Sequence, residues 1–356
     1  MRYATNYDIG DRKRPTGINE DSVALSVFEQ GHREGYRGQT RTVDTSDGDR
    51  ELPANRSAAA FVLADGAGGH DAGDAASYIA TTIVCEQLAQ VAVRAARADP
   101  TGFDVDIERT PSVPEAADLR EAIDDAINAA HRAIIANAVE SGVGAYTTVV
   151  AGIVADGQVH YGWVGDSRAY VLNRERETID RLTKDHAVVE EMHDRGEVDA
   201  VAAHVHPRGN EITRALGGTP AEDPEAAAIS VETSTVPFYA EDRLLVTSDG
   251  LIDAQTDAPD LYDRYVDSDR ADDVAAEIRE EVVTDDEIRD VVLGADSLDT
   301  AAAALGDLTN DRGGKDNFSA LLLADETLPE TPADVPVRAI DEKPVEDRET
   351  VIIPEE

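Results

Sequence analysis

Aspartates set beside glycines or other turn residues recur at five points of this chain, and they are the residues most able to do chemistry. They stand in Gly17-Ile18-Asn19-Glu20-Asp21, Asp65-Gly66-Ala67-Gly68-Gly69-His70, Gly165-Asp166-Ser167-Arg168, Ser248-Asp249-Gly250 and Gly313-Gly314-Lys315-Asp316-Asn317. Carboxylates and main-chain carbonyls are hard oxygen donors, which suit Mg2+ or Mn2+ and disfavour a dedicated zinc site. In the second motif the glycines let the backbone bend until Asp65 and a carbonyl face one cation. Taken singly, each motif fits a turn, a hairpin corner or a helix cap as well. Their coincidence in one chain points to a cation site. Covalent chemistry would need a reactive thiolate instead. The single cysteine, Cys85, sits in the apolar helical run Thr82-Ile83-Val84-Cys85-Glu86-Gln87-Leu88, where a buried structural thiol is expected.

Carboxylates so far apart in sequence need a scaffold that gathers them. Strands are expected over 21–28, 58–64, 147–154, 158–164, 168–172, 243–247 and 317–323, because these runs are short, rich in Val, Leu and aromatic residues, and bounded by Gly, Asp or Asn. Each motif adjoins the end of such a run, where a loop can present a carboxylate. Ala155-Asp156-Gly157 predicts a tight hairpin and hence antiparallel pairing. Apolar stripes at Leu119, Ile123, Ile127, Ala130 and Ile134, and at Ala76, Ile79, Ile83, Val84, Leu88 and Val91, predict two amphipathic helices. Strands grouped with long helices, without strict alternation, argue for an α+β layered domain rather than a doubly wound parallel sheet.

Composition narrows the function classes. With 74 Asp and Glu against 32 Lys and Arg, the 356 residues carry a net charge of -42. Nucleic acid is excluded as a partner, since it requires a basic footprint. The acidic excess is spread along the chain, so it reads as halophilic adaptation of the surface rather than as one binding block. One cysteine permits no intramolecular disulfide. The N-terminus lacks an apolar signal core and no run reaches 18 apolar residues, so a cytoplasmic protein without membrane contact is expected. Insertions are expected at about 30–57, 98–115 and 254–283, the last acidic and partly helical. They interrupt a catalytic domain over 1–325, which an acidic, Pro-containing and disordered tail over 326–356 would follow.

In order and spacing the motifs resemble the metal-dependent, type-2C (PPM) family of serine/threonine protein phosphatases, including its bacterial-type members. Leu182-Thr183-Lys184-Asp185-His186 and the run His206 to Gly217 extend the resemblance, which covers residues 4–325 outside the insertions. It implies a four-layer α-β-β-α sandwich, with two central antiparallel sheets flanked by helices and two Mn2+ or Mg2+ ions at one end. It further implies that Asp65 bridges both ions, that the Gly66 carbonyl completes one of them, and that Asp249 and Asp316 hold the other. Glu20 and Asp21 would order waters around the ions. Asp166 with Asp249 would hold the third, weaker ion found in some members. The implied reaction is hydrolysis of phosphoserine and phosphothreonine in the protein substrates of a cytoplasmic Ser/Thr kinase, by a monomer. Two hard cations would neutralise the phosphate and acidify a bridging water.

Two positions depart from the family pattern. Thr16 stands where the family places a phosphate-binding arginine, and Arg14 is the expected substitute, although a solvated basic turn fits it equally. Ala67 stands where many eukaryotic members place a histidine acid, which bacterial-type members also lack, and His70 reads as structural. His204 and His206 alternate like metal ligands, but two ligands do not make a site. A catalytically silent phosphoprotein-binding module on the same fold, and a non-enzymatic Ca2+-binding acidic protein, are the alternatives from other classes.

Overall fold

The computed structural model describes residues 1–15, 17–29, 57–67, 72–96, 114–252 and 258–338, and the backbone of 40–45 and 48–53. Strands β1 (Arg2–Asp8), β2 (Asp21–Glu29), β3 (Thr40–Thr45), β4 (Gly48–Pro53) and β5 (Ser57–Ala67) lead to helices α1 (Gly73–Ala95) and α2 (Ala116–Ser141). Next come β6 (Ala145–Thr147), β7 (Val149–Ala155), β8 (Gln158–Val164), β9 (Arg168–Asn173) and β10 (Thr178–Arg181). Helices α3 (Val188–Asp194) and α4 (Ala200–His204) precede β11 (Leu216–Gly218), β12 (Glu232–Pro237) and β13 (Asp242–Thr247). A short 3-10 turn (Asp249–Leu251), helices α5 (Ala258–Asp267), α6 (Asp272–Glu281), α7 (Asp285–Gly294) and α8 (Leu298–Asp311), and strand β14 (Phe318–Ala324) complete the order.

Two antiparallel sheets face each other. One has the order β1-β14-β13-β9-β10; the other runs β11-β6-β5-β7-β8-β12, with β2 paired to β5. The alternation along β5 shows why the layers form. Ala58, Ala60, Val62 and Ala64 join the core beneath α1 and α2, whereas Ala59, Phe61 and Leu63 join the core between the sheets. A strand buried on both faces must be apolar at every position, as this one is. Burying a side chain such as Phe61 contributes about 1.5–3 kcal/mol. On the far side, Leu245, Phe318, Leu322 and neighbours pack against α7 and α8. The result is the four-layer α+β sandwich.

Local signals act as expected. Asp156 and Gly157 both adopt positive φ, 54° and 72°, the requirement of the two-residue turn that joins β7 to β8 with Ala155 opposite Gln158. The α2 stripe is buried in full, and a capping box of Glu115 and Asp118 starts the helix. On α1 the buried line is Ala76, Ala80, Val84, Leu88 and Val91, while Ile79 and Ile83 flank it half-buried. Cys85 is half-buried rather than buried, with its thiol 3.5 Å from the Ser26 hydroxyl.

Helices α3 to α6 form a lobe with its own small core of Val198, Ala202, Val205, Leu261, Tyr265, Ala275, Ile278 and Val282. The segment 258–283 is therefore packed against residues 188–205. Residues 98–113 and much of 30–57 lie outside the described residues, apart from the β3–β4 hairpin.

The expected disordered tail needs correction over residues 326–338. Pro329 accepts a hydrogen bond from Ala240 N, Thr331 donates to Glu241, and the buried Arg338 guanidinium pairs with the buried Asp242. A carboxylate buried in the sheet needs a cation, and this segment supplies it. Residues 339–356 lie outside the described residues. Among the described residues no helix is long and apolar enough to cross a membrane.

Candidate metal centre

The two sheets bring their acidic residues to one end of the sandwich. Antiparallel pairing of β2 with β5 sets Asp21 opposite Asp65. Two carboxylates opposed across a ladder repel each other, an arrangement that sheets normally avoid. The other sheet contributes Asp249, in the turn after β13, and Asp316, just before β14; these strands are neighbours. Burial pushes the Asp65 carboxyl well above its ordinary range, and Asp21, Asp249 and Asp316 push it further. Asp21 is pushed up to about 6, chiefly by burial, against the pull of a hydrogen bond from Ser248. Four carboxylates thus share one field. That is an arrangement for binding positive charge.

Close backbone packing holds the centre together. A Cβ on Gly66 would sit 2.2 Å from the Gly73 carbonyl, and one on Gly250 would sit 1.9 Å from the Asn317 carbonyl. Both motifs therefore need glycine for approach, whatever its φ. The Asp65 carbonyl accepts from Thr148 N and from the Thr147 hydroxyl, both at 2.8 Å, and Asp65 N donates to the Thr148 hydroxyl at 3.0 Å. Asn317 bridges two elements: its side-chain Oδ1 accepts from Glu20 N at 2.9 Å and its Nδ2 donates to the Ile9 carbonyl at 3.0 Å. Ser248 ties the sheets together, donating to Asp21 Oδ2 at 2.8 Å while accepting from Ser319 N at 2.9 Å.

Asp166 stands to one side, at the β8–β9 corner. Gly165 adopts φ +106° there, and a Cβ on it would meet Thr148. Asp166 and Asp249 line a cavity of about 510 Å3 together with Arg168, Asp185, His204 and Asn210. Burial acts against the Asp185 charge, but Arg168 and Arg181 outweigh it and hold its pKa below the ordinary range. The Gly-Asp-Ser-Arg and Lys-Asp-His motifs are thus joined by one part-buried ion pair, with Arg168 Nη2 2.6 Å from Asp185. His206 packs edge-on against Tyr262 at 4.8 Å, and His204 lies in the cavity with its pKa lowered by burial.

Of the two expected environments for Arg14, the contacts are those of a basic turn: its guanidinium pairs with Asp8 and Asp11, each at 2.8 Å. Its predecessor Lys13 forms an ion pair with Asp316. Burial works against the Lys13 charge, but Asp316 outweighs it, Asp65 and Glu20 add to the pull, and the ammonium pKa is raised. The run Asp11-Arg12-Lys13-Arg14 signals a cation here, but only the loop conformation selects which one. Thr16 and the segment Gly68 to Asp71, with His70, lie outside the described residues.

The residues fit hard divalent ions. The donors are carboxylates and carbonyls, and Asp21 Oδ1 is buried without a hydrogen bond among the described residues. Among the described residues no three acidic, His or Cys side chains close into a finished cage. Asp316 is instead engaged by Lys13.

A layered sandwich with a buried oxygen-donor centre across the ends of its two sheets is an arrangement suited to hard divalent ions. The profile of the family described as protein phosphatase 2C matches residues 48–290. The serine/threonine phosphatase stp of Listeria welshimeri is 29% identical over 266 residues, covering 74% of this chain and 82% of that protein. The crystal structure of the Mycobacterium tuberculosis serine/threonine phosphatase PstP/Ppp superposes with a TM-score of 0.55 at 25% identity, covering 90% of this chain and 97% of that one. A structure of the PstP catalytic domain in complex with two manganese ions gives a TM-score of 0.56 at 25% identity, covering 90% and 96%. The chain belongs to the protein phosphatase 2C family, which makes it an enzyme of the protein-serine/threonine phosphatase class.

Proposed function

We propose that this enzyme hydrolyses phosphoserine and phosphothreonine in the substrates of a cytoplasmic protein kinase. Asp65, Asp249, Asp316 and the Gly66 carbonyl would hold two ions, Mn2+ or Mg2+. The observation that carries this reading is the gathering of Asp21 and Asp65 from one sheet with Asp249 and Asp316 from the neighbouring strands of the other. When bound, such ions neutralise a phosphate dianion and bring the pKa of water toward neutrality, so no phosphoenzyme is needed. The chain's own residues keep that centre in place. Ser248 orients Asp21, Asn317 fixes the main chain at Glu20, and Thr147 and Thr148 clamp the Asp65 backbone. Asp21 and Glu20 would order water beside the ions, and Asp166 with Asp249 would hold a third ion.

The test is hydrolysis of a phosphothreonine peptide with Mn2+ in molar KCl, comparing wild type with Asp65→Asn and Asp249→Asn. Each variant should lose at least ~100-fold in kcat, about 3 kcal/mol of transition-state stabilisation, with its circular dichroism unchanged. Retained turnover in Asp249→Asn would remove the assignment. Peptide binding by wild type without any phosphate release would favour the silent-module reading.

A further inference from the structure

Lys13 is held where it is by a loop built for the purpose. Gly10, at φ +82°, packs so closely on the Gly313–Asp316 segment that a Cβ would sit 2.3 Å from the Asp316 carbonyl. Arg12 N donates to the Gly314 carbonyl at 3.1 Å, Arg14 N to the Gly10 carbonyl at 3.1 Å, and Asp11 N to Asn310 Oδ1 at 3.1 Å. This loop is therefore fastened to the segment that carries Asp316. Arg14 is turned back onto Asp8 and Asp11, while the Lys13 ammonium reaches Asp316 Oδ1. Lys13 and Asp316 are each about one-third exposed, 34% and 33%, so the pair stands at the mouth of the centre rather than sealed beneath it.

We infer that Lys13 is a built-in competitor for the metal centre: its ammonium occupies Asp316 until a divalent ion takes that carboxylate, and is thereby released to meet the phosphate of the substrate. The inference rests on the proposed role of Asp316 as an ion ligand. A monovalent ammonium on a flexible stem gives up a carboxylate to a divalent ion more readily than a bidentate guanidinium would. Competition for one carboxylate weakens ion binding, and release of the ammonium strengthens phosphate binding to the loaded enzyme. Linkage makes the effect reciprocal: inorganic phosphate should tighten ion binding through Lys13.

The experiment is calorimetric titration of Mn2+ into wild type, Lys13→Met, Lys13→Arg and Asp249→Asn, with and without inorganic phosphate. Removing the competitor should tighten Mn2+ binding in Lys13→Met by ~2–5-fold, the range of one partly exposed ion pair. Phosphate should then bind the Mn2+-loaded variant more weakly by a similar factor, and Lys13→Arg should restore the competition. Unchanged or weaker Mn2+ binding in Lys13→Met overturns the inference. If wild type and Asp249→Asn bind Mn2+ alike, the metal centre itself is misassigned, which is a separate failure. Thermal unfolding of each metal-free variant identifies any that does not fold, and Lys13→Arg and Lys13→Met give opposite expectations.

Discussion

Lys13 and Arg14 are neighbours with different partners, and the difference matters for the phosphate side of the centre. Arg14 is half-exposed and tied to Asp8, at the end of β1, and to Asp11 in its own loop. Pairs of that kind contribute little to stability. Arg14→Ala is therefore expected to change kcat/KM for a phosphothreonine peptide by less than about twofold, since an exposed side chain held away from the reaction supplies no transition-state contact. A tenfold loss in steady-state assays would return Arg14 to the mechanism. At the same scale, Gly66 and Gly250 are fixed by carbonyls that leave no room for a side chain.

Among the elements, β8 carries a titratable group that the chemistry does not use. His160 is buried between β7 and β12, with Nδ1 3.0 Å from the Thr235 hydroxyl. Burial, with Arg120 assisting, pushes its pKa down to about 4 from the ordinary 6.5. The unfolded chain thus binds this proton more readily than the folded one. The sign follows: the stability is fully present above about pH 6.5 and is lost as pH falls toward about 4. Between pH 7.5 and 4.5 wild type should lose about 2–3 kcal/mol more than His160→Gln, read from urea midpoints. Equal losses in the two proteins would show that His160 does not carry the effect. Edge strands are a different matter. In β1, Tyr3 and Tyr7 are 56% and 71% exposed, so its pattern is too polar to announce a strand before β14 pairs with it.

On the scale of the whole molecule, a segment after the last strand closes the sandwich. Arg338 is 1% exposed and Asp242 is fully buried; Arg338 also donates to the Pro237 carbonyl and stacks on Tyr239. Removing one partner of a buried pair leaves an uncompensated charge. Arg338→Ala should therefore cost about 3–5 kcal/mol in urea unfolding, and Asp242→Asn combined with Arg338→Met should recover part of it. A loss below about 1 kcal/mol would place the pair in the range of solvent-screened bridges. The lobe of α3 to α6 has a core separate from the sandwich, so changes there should act on the neighbouring cavity before they act on the sheets.

Much of this protein is legible in its residues, for reasons that are local. The two-sided apolar run of β5, the Asp-Gly hairpin and the α2 stripe are determined by alternation, turn chemistry and helical period, which operate within a few residues. The aspartates of the centre were legible because each sits in a glycine- or turn-rich motif at a strand end. Which of three basic residues enters the centre was not, because Gly10 and its contacts to Gly314 and Asp316 join positions some 300 residues apart. The structural roles of Asn317, Ser248, Thr147 and Thr148 were hidden for the same reason: their partners are far along the chain, on distant loops for Asn317, on the opposite sheet for Ser248, and on β5 of their own sheet for Thr147 and Thr148. Arg338 reads as one more charge in an acidic tail until Asp242 is seen to be buried beneath it. Sequence thus determined the apolar strands and helices of the core and marked the aspartate motifs at their ends. Tertiary structure alone decided which charges meet, because pairing across sheets depends on burial and register that no local pattern encodes.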